Sequence, residues 1–232
     1  KRQAHAMSSS EPTLDADICI IGAGCIGTII ARDVASCHFS SIVLEKEPLV
    51  GGVWAKNDYP GLRLQTSGSS YRCISLSPSW NCDGDHKDDI LYRPSGKEVL
   101  TYLHEMLKHE LIDTRIKTAY LRHSSSPGGF IVSTDQGKIT VRGVAFAPGA
   151  HETTAGAPHM PIDLTFVRNA ACVVHSSQMN AYHDRFYSAR QKFVVGASKA
   201  AIDLIETLDQ SDKGVIWAHR GHMIFHNRDI LH

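Results

Sequence analysis

Two stretches of the chain pass from an all-apolar run, through a turn of small residues, into a helical period, and the remaining pattern is organised around them. Ile18–Ile21 is apolar at every position, as a parallel strand covered on both faces requires, and a helical period then runs from the turn Gly22–Gly27 through His38. Ile42–Leu44 is a second short apolar run. Far down the chain Phe193–Val195 opens the same order again: strand, small-residue turn, helix, and a further strand over Val215–Ala218. Strand, crossover helix, strand is the βαβ unit, so the pattern predicts two such units.

Between them, Glu47–Pro94 is rich in Gly, Pro, Ser and Asn. It is too long for a plain connection, which predicts a functional segment lying against a ligand. Ser95 with Glu98 three positions on forms a capping box, and Val99, Leu100, Leu103, Met106 and Leu107 follow at helical spacing, predicting an amphipathic helix to about Leu111. Phe130–Thr134, the turn Asp135-Gln136-Gly137 and Lys138–Ala147 predict a hairpin that runs into a buried strand end at Phe146 and stops at Ala147-Pro148-Gly149. The expected fold is α/β: a Rossmann-like, parallel-sheet domain over 8–165 and a second, partial Rossmann-like module over 166–232. Residues 1–7 are set aside as a tag or disordered leader, Lys1–Ala6 reading as a vector remnant before Met7.

Charge narrows the range of partners. Lys plus Arg and Asp plus Glu each number 24, so no net field draws the chain to nucleic acid or an anionic membrane, and a small-molecule substrate is expected instead. The longest uncharged apolar stretch, Ile18–Ala31, falls short of the ~18 residues that a membrane span needs. The six cysteines, Cys19, Cys25, Cys37, Cys73, Cys82 and Cys172, form no CxxC pair, and two of them, Cys19 and Cys25, lie in the first strand and the glycine turn after it, where a disulfide would distort the turn. A reducing cytoplasm fits them. The 14 histidines are scattered, and His104 and His109 are five apart, not the four that put two ligands on one helical face, so no metal is expected.

The chemistry of the first turn follows from missing side chains. Gly22-Ala23-Gly24-Cys25-Ile26-Gly27 satisfies GxGxxG directly after a strand and before a helix. Gly22 allows the tight turn, Gly24 lets backbone N–H groups reach a pyrophosphate at the helix N-terminus, and Gly27 lets helix and strand pack closely. Glu45 ends the second strand about twenty residues on, placed to accept hydrogen bonds from an adenosine ribose. In the second unit Gly196-Ala197-Ser198-Lys199-Ala200-Ala201 gives GxSxxA, with Gly196 and Ser198 at a helix start and Lys199 adding charge beside a pyrophosphate. Arg220, just past the second strand of that unit, stands where the first unit has its acid. It either pairs with an adenosine 2′-phosphate, favouring NADPH, or is a solvated loop charge.

After Glu45 come Gly51-Gly52-Val53-Trp54 and Tyr59-Pro60-Gly61-Leu62, and this order resembles the class B flavin monooxygenases, Baeyer–Villiger enzymes among them. The resemblance implies FAD on the first unit, NADPH on the second, and Gly51, Gly52 and Trp54 beside the isoalloxazine. It also implies a reaction: NADPH reduces FAD, the reduced flavin takes up O₂ as a C4a-peroxy adduct, and that adduct oxygenates a small organic substrate. Ala147-Pro148-Gly149 stands where the family usually has Ala-Thr-Gly, and Pro158–Pro161 resembles the loop after it. His175 matches the histidine of the family's FxGxxxHxxx(W/D) fingerprint, while Asn169, Ala171 and Met179 occupy its Phe, Gly and final positions. It is either an interdomain histidine linking the two modules or a satisfied or solvent-facing one.

Other departures bear on the oxidative step. Ser67 follows Thr66 where the family commonly places asparagine near the flavin, and Leu76-Ser77-Pro78-Ser79 replaces an Asp-Phe-Pro segment. Related enzymes also continue past the nicotinamide module to complete the flavin domain. An association with a missing C-terminal half, or a homo-oligomer, is therefore among the expectations. These departures keep a second class open: a non-redox cyclase or isomerase of secondary metabolism, or a silent binding protein on the same scaffold.

Overall fold

A computed structural model describes residues 13–57, 59–71, 92–149, 172–209 and 214–221. Pro158–Pro161, Asn169, Ala171, Leu76–Ser79, Cys73, Cys82 and the leader before residue 13 lie outside the described residues. The chain divides into two compact units, Lys1–Val50 with Met106–Pro148 and Gly51–Glu105 with Gly149–His232.

In the first unit, β1 (Ala16–Ile21), β2 (Ser41–Leu44), β3 (Ile112–Arg115), β4 (Tyr120–Ser126), β5 (Gly129–Thr134) and β6 (Gly137–Phe146) form one sheet in the order β3-β2-β1-β6-β5-β4. β1 lies at its centre, with Ile20 against Val43 of β2 on one side and Ala145 of β6 on the other, all running parallel. β4, β5 and β6 join as an antiparallel meander, so the sheet is mixed and mainly parallel on the β1 side, not parallel throughout. Apolar side chains cover both faces. Cys19, Ile21, Ile42, Leu44, Val132 and Val141 form one core, and Ile20, Val43, Leu107 and Ile112 form the other with Ala31 and Ala35 of α1 (Cys25–Ser36). That two-sided burial is why β1 and β2 read as unbroken apolar runs.

Three expectations need correction. The hairpin does not bury its end: Phe146 is 52% exposed, with its ring edge-on to Tyr120 at 5.4 Å on a sheet face that also carries His123. The sheet also holds β3 and β4, which the apolar pattern does not predict. The helix predicted to about Leu111 is α4 (Gly96–Leu107), which stops one turn early because His109 N–H bonds to Leu107 O and Ile112 N–H to His109 O, turning the chain into β3.

In the second unit, the capping box closes as read: Ser95 N–H and O–H both donate to Glu98 Oε2, at 2.7 and 2.6 Å, and Tyr92 O–H donates to Oε1 at 2.6 Å. Burial alone would raise the Glu98 carboxyl, but these bonds and the Arg63 charge outweigh it and lower it below the usual range. A depressed carboxyl contributes stability above its unfolded pKa that is lost as pH falls through its folded value. Between neutral pH and about pH 4 the thermal midpoint of Glu98→Gln should therefore fall less than that of the parent, a difference that paired melting curves measure directly. Short helices α2 (Val53–Lys56) and α3 (Gly68–Tyr71) lie in the long segment before α4. Further on come a 3-10 turn over Ser176–Tyr182, α5 (His183–Ser188), β7 (Phe193–Val195), α6 (Lys199–Asp209) and β8 (Ile216–Ala218). β7 and β8 pair in parallel, Val194 opposite Trp217, as the second βαβ unit requires.

Candidate functional site

The carboxyl ends of β1, β2 and β6 converge on the first glycine turn. Gly22 N–H bonds to Leu44 O and Ala147 N–H to Ile21 O, both at 2.8 Å, so the ladder carries past the strands and fixes Gly22 against Ala147-Pro148. Gly22 has φ +102°, and a Cβ there would lie 2.4 Å from Ala147 O; one on Gly27 would lie 1.8 Å from Gly22 O. No side chain fits at either position. Gly24 is the N-cap of α1 and has no side chain to cap it, and the first turn of the helix holds no acid, so the positive end of the helix dipole faces this turn.

Glu45 is 7% exposed and does more than the sequence indicated. Its Oε2 accepts the Ala23 N–H and its Oε1 the Glu47 N–H, each at 3.0 Å, so the acid holds the glycine turn as well as ending β2. A carboxylate has about four lone-pair positions, so a ribose hydroxyl can still donate to it. A cradle closed to side chains, an uncapped helix start and a carboxylate with acceptor capacity to spare together fit the diphosphate and ribose of a dinucleotide.

The second turn is built differently. Gly196 has φ +122°, with its N–H on Ala218 O at 2.9 Å and its carbonyl accepting the Trp217 indole N–H at 2.6 Å. A Cβ on Gly196 would meet nothing within 4 Å, so backbone conformation, not crowding, calls for glycine there. Ser198 is exposed and its Oγ accepts the Ala201 N–H at 3.4 Å. The Lys199 ammonium is bonded to Asp203 one turn along α6, while Arg220 is exposed just past β8.

The remaining candidates are placed as follows. Gly51 and Gly52 lead into α2, where Trp54 is half-buried and donates its indole N–H to Tyr71 Oη at 2.6 Å, the two rings edge-to-face at 5.9 Å. Ser67 is buried at 2% exposure. His175 caps the 3-10 turn, its Nδ1 taking the Ser177 N–H at 3.2 Å and lying 2.9 Å from Ser177 Oγ, so only Nε2 is left to act elsewhere. Buried Cys19 is held as an inert thiol, pushed up to about 11 by burial against a smaller opposing effect of Arg115. Among the described residues no cluster of His, Cys, Asp or Glu is arranged to hold a metal, and no helix is long and apolar enough to cross a membrane.

Sequence reasoning missed Trp217, Asp203 and the turn-holding role of Glu45. Each acts through a bond to a residue that the pattern does not place beside it.

The family model described as pyridine nucleotide-disulphide oxidoreductase matches residues 19–230. The chain belongs to that family. Within the pyridine nucleotide-disulphide oxidoreductases its homology runs, distantly, to flavin monooxygenases. It is 28% identical over 131 residues to flavin-containing monooxygenase FMO GS-OX-like 2 of Arabidopsis thaliana, covering 48% of this chain and 28% of that one. It is 24% identical over 211 residues to FAD-binding monooxygenase VdtE of Byssochlamys spectabilis, covering 84% of this chain and 34% of that one. Among solved structures, a steroid monooxygenase bound to NADP superposes with a TM-score of 0.66 at 22% identity, covering 87% of this chain and 38% of the other, which establishes the shared fold. The chain spans about a third of the length of the two curated relatives.

Proposed function

We propose that this chain binds FAD on the first glycine turn and NADPH on the second, and serves a flavin-dependent monooxygenase that uses O₂ to oxygenate a small organic substrate. The observation that carries this reading is the cradle at Gly22, Gly27 and Glu45, shaped for a diphosphate-ribose, on a chain with a second strand, glycine turn and helix unit. When bound, NADPH and FAD supply hydride transfer and oxygen activation. The chain's own residues bind and orient them. The α1 N-terminus takes the FAD diphosphate and Glu45 the ribose, while Gly51, Gly52, Trp54 and Ser67 shape the flavin end. Gly196, Ser198, Lys199 and Arg220 hold the nicotinamide nucleotide, and His175 couples the modules.

An absorbance spectrum of the protein, with and without added FAD, is the first test. A bound yellow chromophore that Gly24→Val loses, with NADPH consumed under air in the presence of substrate, is the expected result. A colourless protein that takes up no FAD overturns the reading. A yellow but NADPH-inert one leaves the cofactor assignment and moves the function to the non-redox class. Arg220→Ala should weaken NADP⁺ about tenfold while sparing NAD⁺, one charge-assisted pair to the 2′-phosphate being lost. Equal weakening of both nucleotides would return Arg220 to a plain surface charge.

A further inference from the structure

Two charged or polar groups converge on one carboxylate oxygen where helix α6 meets the turn Tyr59–Gly61. Tyr59 O–H donates to Asp203 Oδ2 at 3.2 Å, and the Lys199 ammonium donates to the same atom from one turn earlier on α6. All three groups are largely withdrawn from water, Tyr59 at 7% exposure and the Lys199 and Asp203 side chains at 12% and 13%. Such a pair is screened far less than a surface one. Two contacts beside it hold the same turn: Thr207 Oγ1 shares its proton between Asp203 O at 2.8 Å and Pro60 O at 3.3 Å, and Gly61 comes so near the helix that a Cβ would lie 3.0 Å from that hydroxyl. The Tyr59 ring packs with Met179, Val194, Ala201, Leu204 and Leu208. Lys199 stands at the first position of α6, directly after Gly196–Ser198, and its charge is turned one helical turn along to Asp203.

We propose that Asp203 is a positioning residue with two effects, one of which rests on the nucleotide reading of the second turn. It latches the Tyr59–Gly61 turn onto α6, and it holds the Lys199 ammonium away from the turn until an anionic phosphate there competes for it. The second effect deepens the proposed function, because NADPH affinity is then set by an exchange of Lys199 between Asp203 and phosphate. Removing the carboxylate therefore has opposite consequences for the two effects: the latch weakens and the lysine is released.

The test combines melting curves of the full chain without nucleotide with NADP⁺ titrations followed by calorimetry. Asp203→Asn should lower the thermal midpoint yet tighten NADP⁺ about three- to tenfold, and the gain should vanish when Lys199→Met is added. Without nucleotide, Tyr59→Phe and Asp203→Ala together should cost little more than Asp203→Ala alone, because either change removes the Tyr59–Asp203 bond, whereas Asp203→Asn keeps an oxygen that can accept it. Tyr59→Phe, which leaves that oxygen to Lys199, should weaken NADP⁺ about twofold, and this arm decides the exchange if Asp203→Asn does not fold. Full additivity of the two stability losses overturns the latch, whatever NADP⁺ does. Asp203→Asn lowering stability and affinity together overturns the exchange and reduces Asp203 to a structural residue. NADP⁺ binding by neither the parent nor any variant removes the nucleotide reading and the exchange with it, while the latch is still judged by the stability cycle.

Discussion

Gly27→Ala is expected to destabilise the first unit by about 3 kcal/mol or more and to prevent FAD retention. The added methyl would sit 1.8 Å from Gly22 O, and that oxygen belongs to backbone fixed from two directions. Gly22 N–H is bonded to Leu44 O at 2.8 Å, and Ala23 N–H to the Glu45 carboxylate at 3.0 Å. No flexible side chain can give way, so α1 must retreat from β1 and uncover the Ala31 and Ala35 contacts beneath it. For a chain of this length the loss corresponds to a fall in thermal midpoint of about 6–12 °C, read by circular dichroism on the protein without ligand. A variant melting within about 2 °C of its parent would mean that helix and strand do not pack this closely.

Glu45→Ala should produce the second large effect, and it should appear before any cofactor is added. The substitution strips the acceptor from the buried Ala23 N–H and the partly buried Glu47 N–H, at about 1–3 kcal/mol for the buried donor and less for the other. Glu45→Gln keeps one acceptor oxygen and should lose roughly half as much. On the proposed reading both variants should also bind FAD less tightly, Glu45→Ala the more so, because the turn assigned to the diphosphate would loosen along with the loss of the proposed ribose partner. Denaturant unfolding of the ligand-free proteins separates the two roles. If Glu45→Ala unfolds at the parent's midpoint while losing FAD, the acid serves the ligand alone.

What could be read in advance was what short windows encode. The apolar run before GxGxxG, the capping box at Ser95 and Glu98, the turn at Asp135-Gln136-Gly137 and the second strand, turn and helix at Phe193–Asp209 are all carried by neighbouring residues, and each is present in the fold. β4 was not legible because Leu121-Arg122-His123-Ser124-Ser125 is exposed throughout and offers no apolar alternation; it is a strand because β5 gives it a pairing edge. β3 is four residues long, and Leu111 lies four positions after Leu107, so a turn leading into a strand imitated one more helical repeat. Tyr59 and Asp203 stand 144 positions apart, and no periodicity connects them. The same holds for Trp217 and the Gly196 carbonyl, 21 positions apart across a crossover helix. The identity of Glu45 was legible as an acid at a strand end, but its bonds to Ala23 and Glu47 depend on where the glycine turn comes to rest.

The continuation of the ladder into the first turn, with Gly22 bonded to Leu44 and Ala147 to Ile21, also bears on when the anion cradle comes into being. Those amides are secured by the same cooperative assembly as the central strands, so they are shielded from solvent exchange until that assembly opens. On the proposed reading, a diphosphate arriving there would meet a receptor whose ordering was completed during folding, and little of its binding free energy would be diverted to shaping the loop.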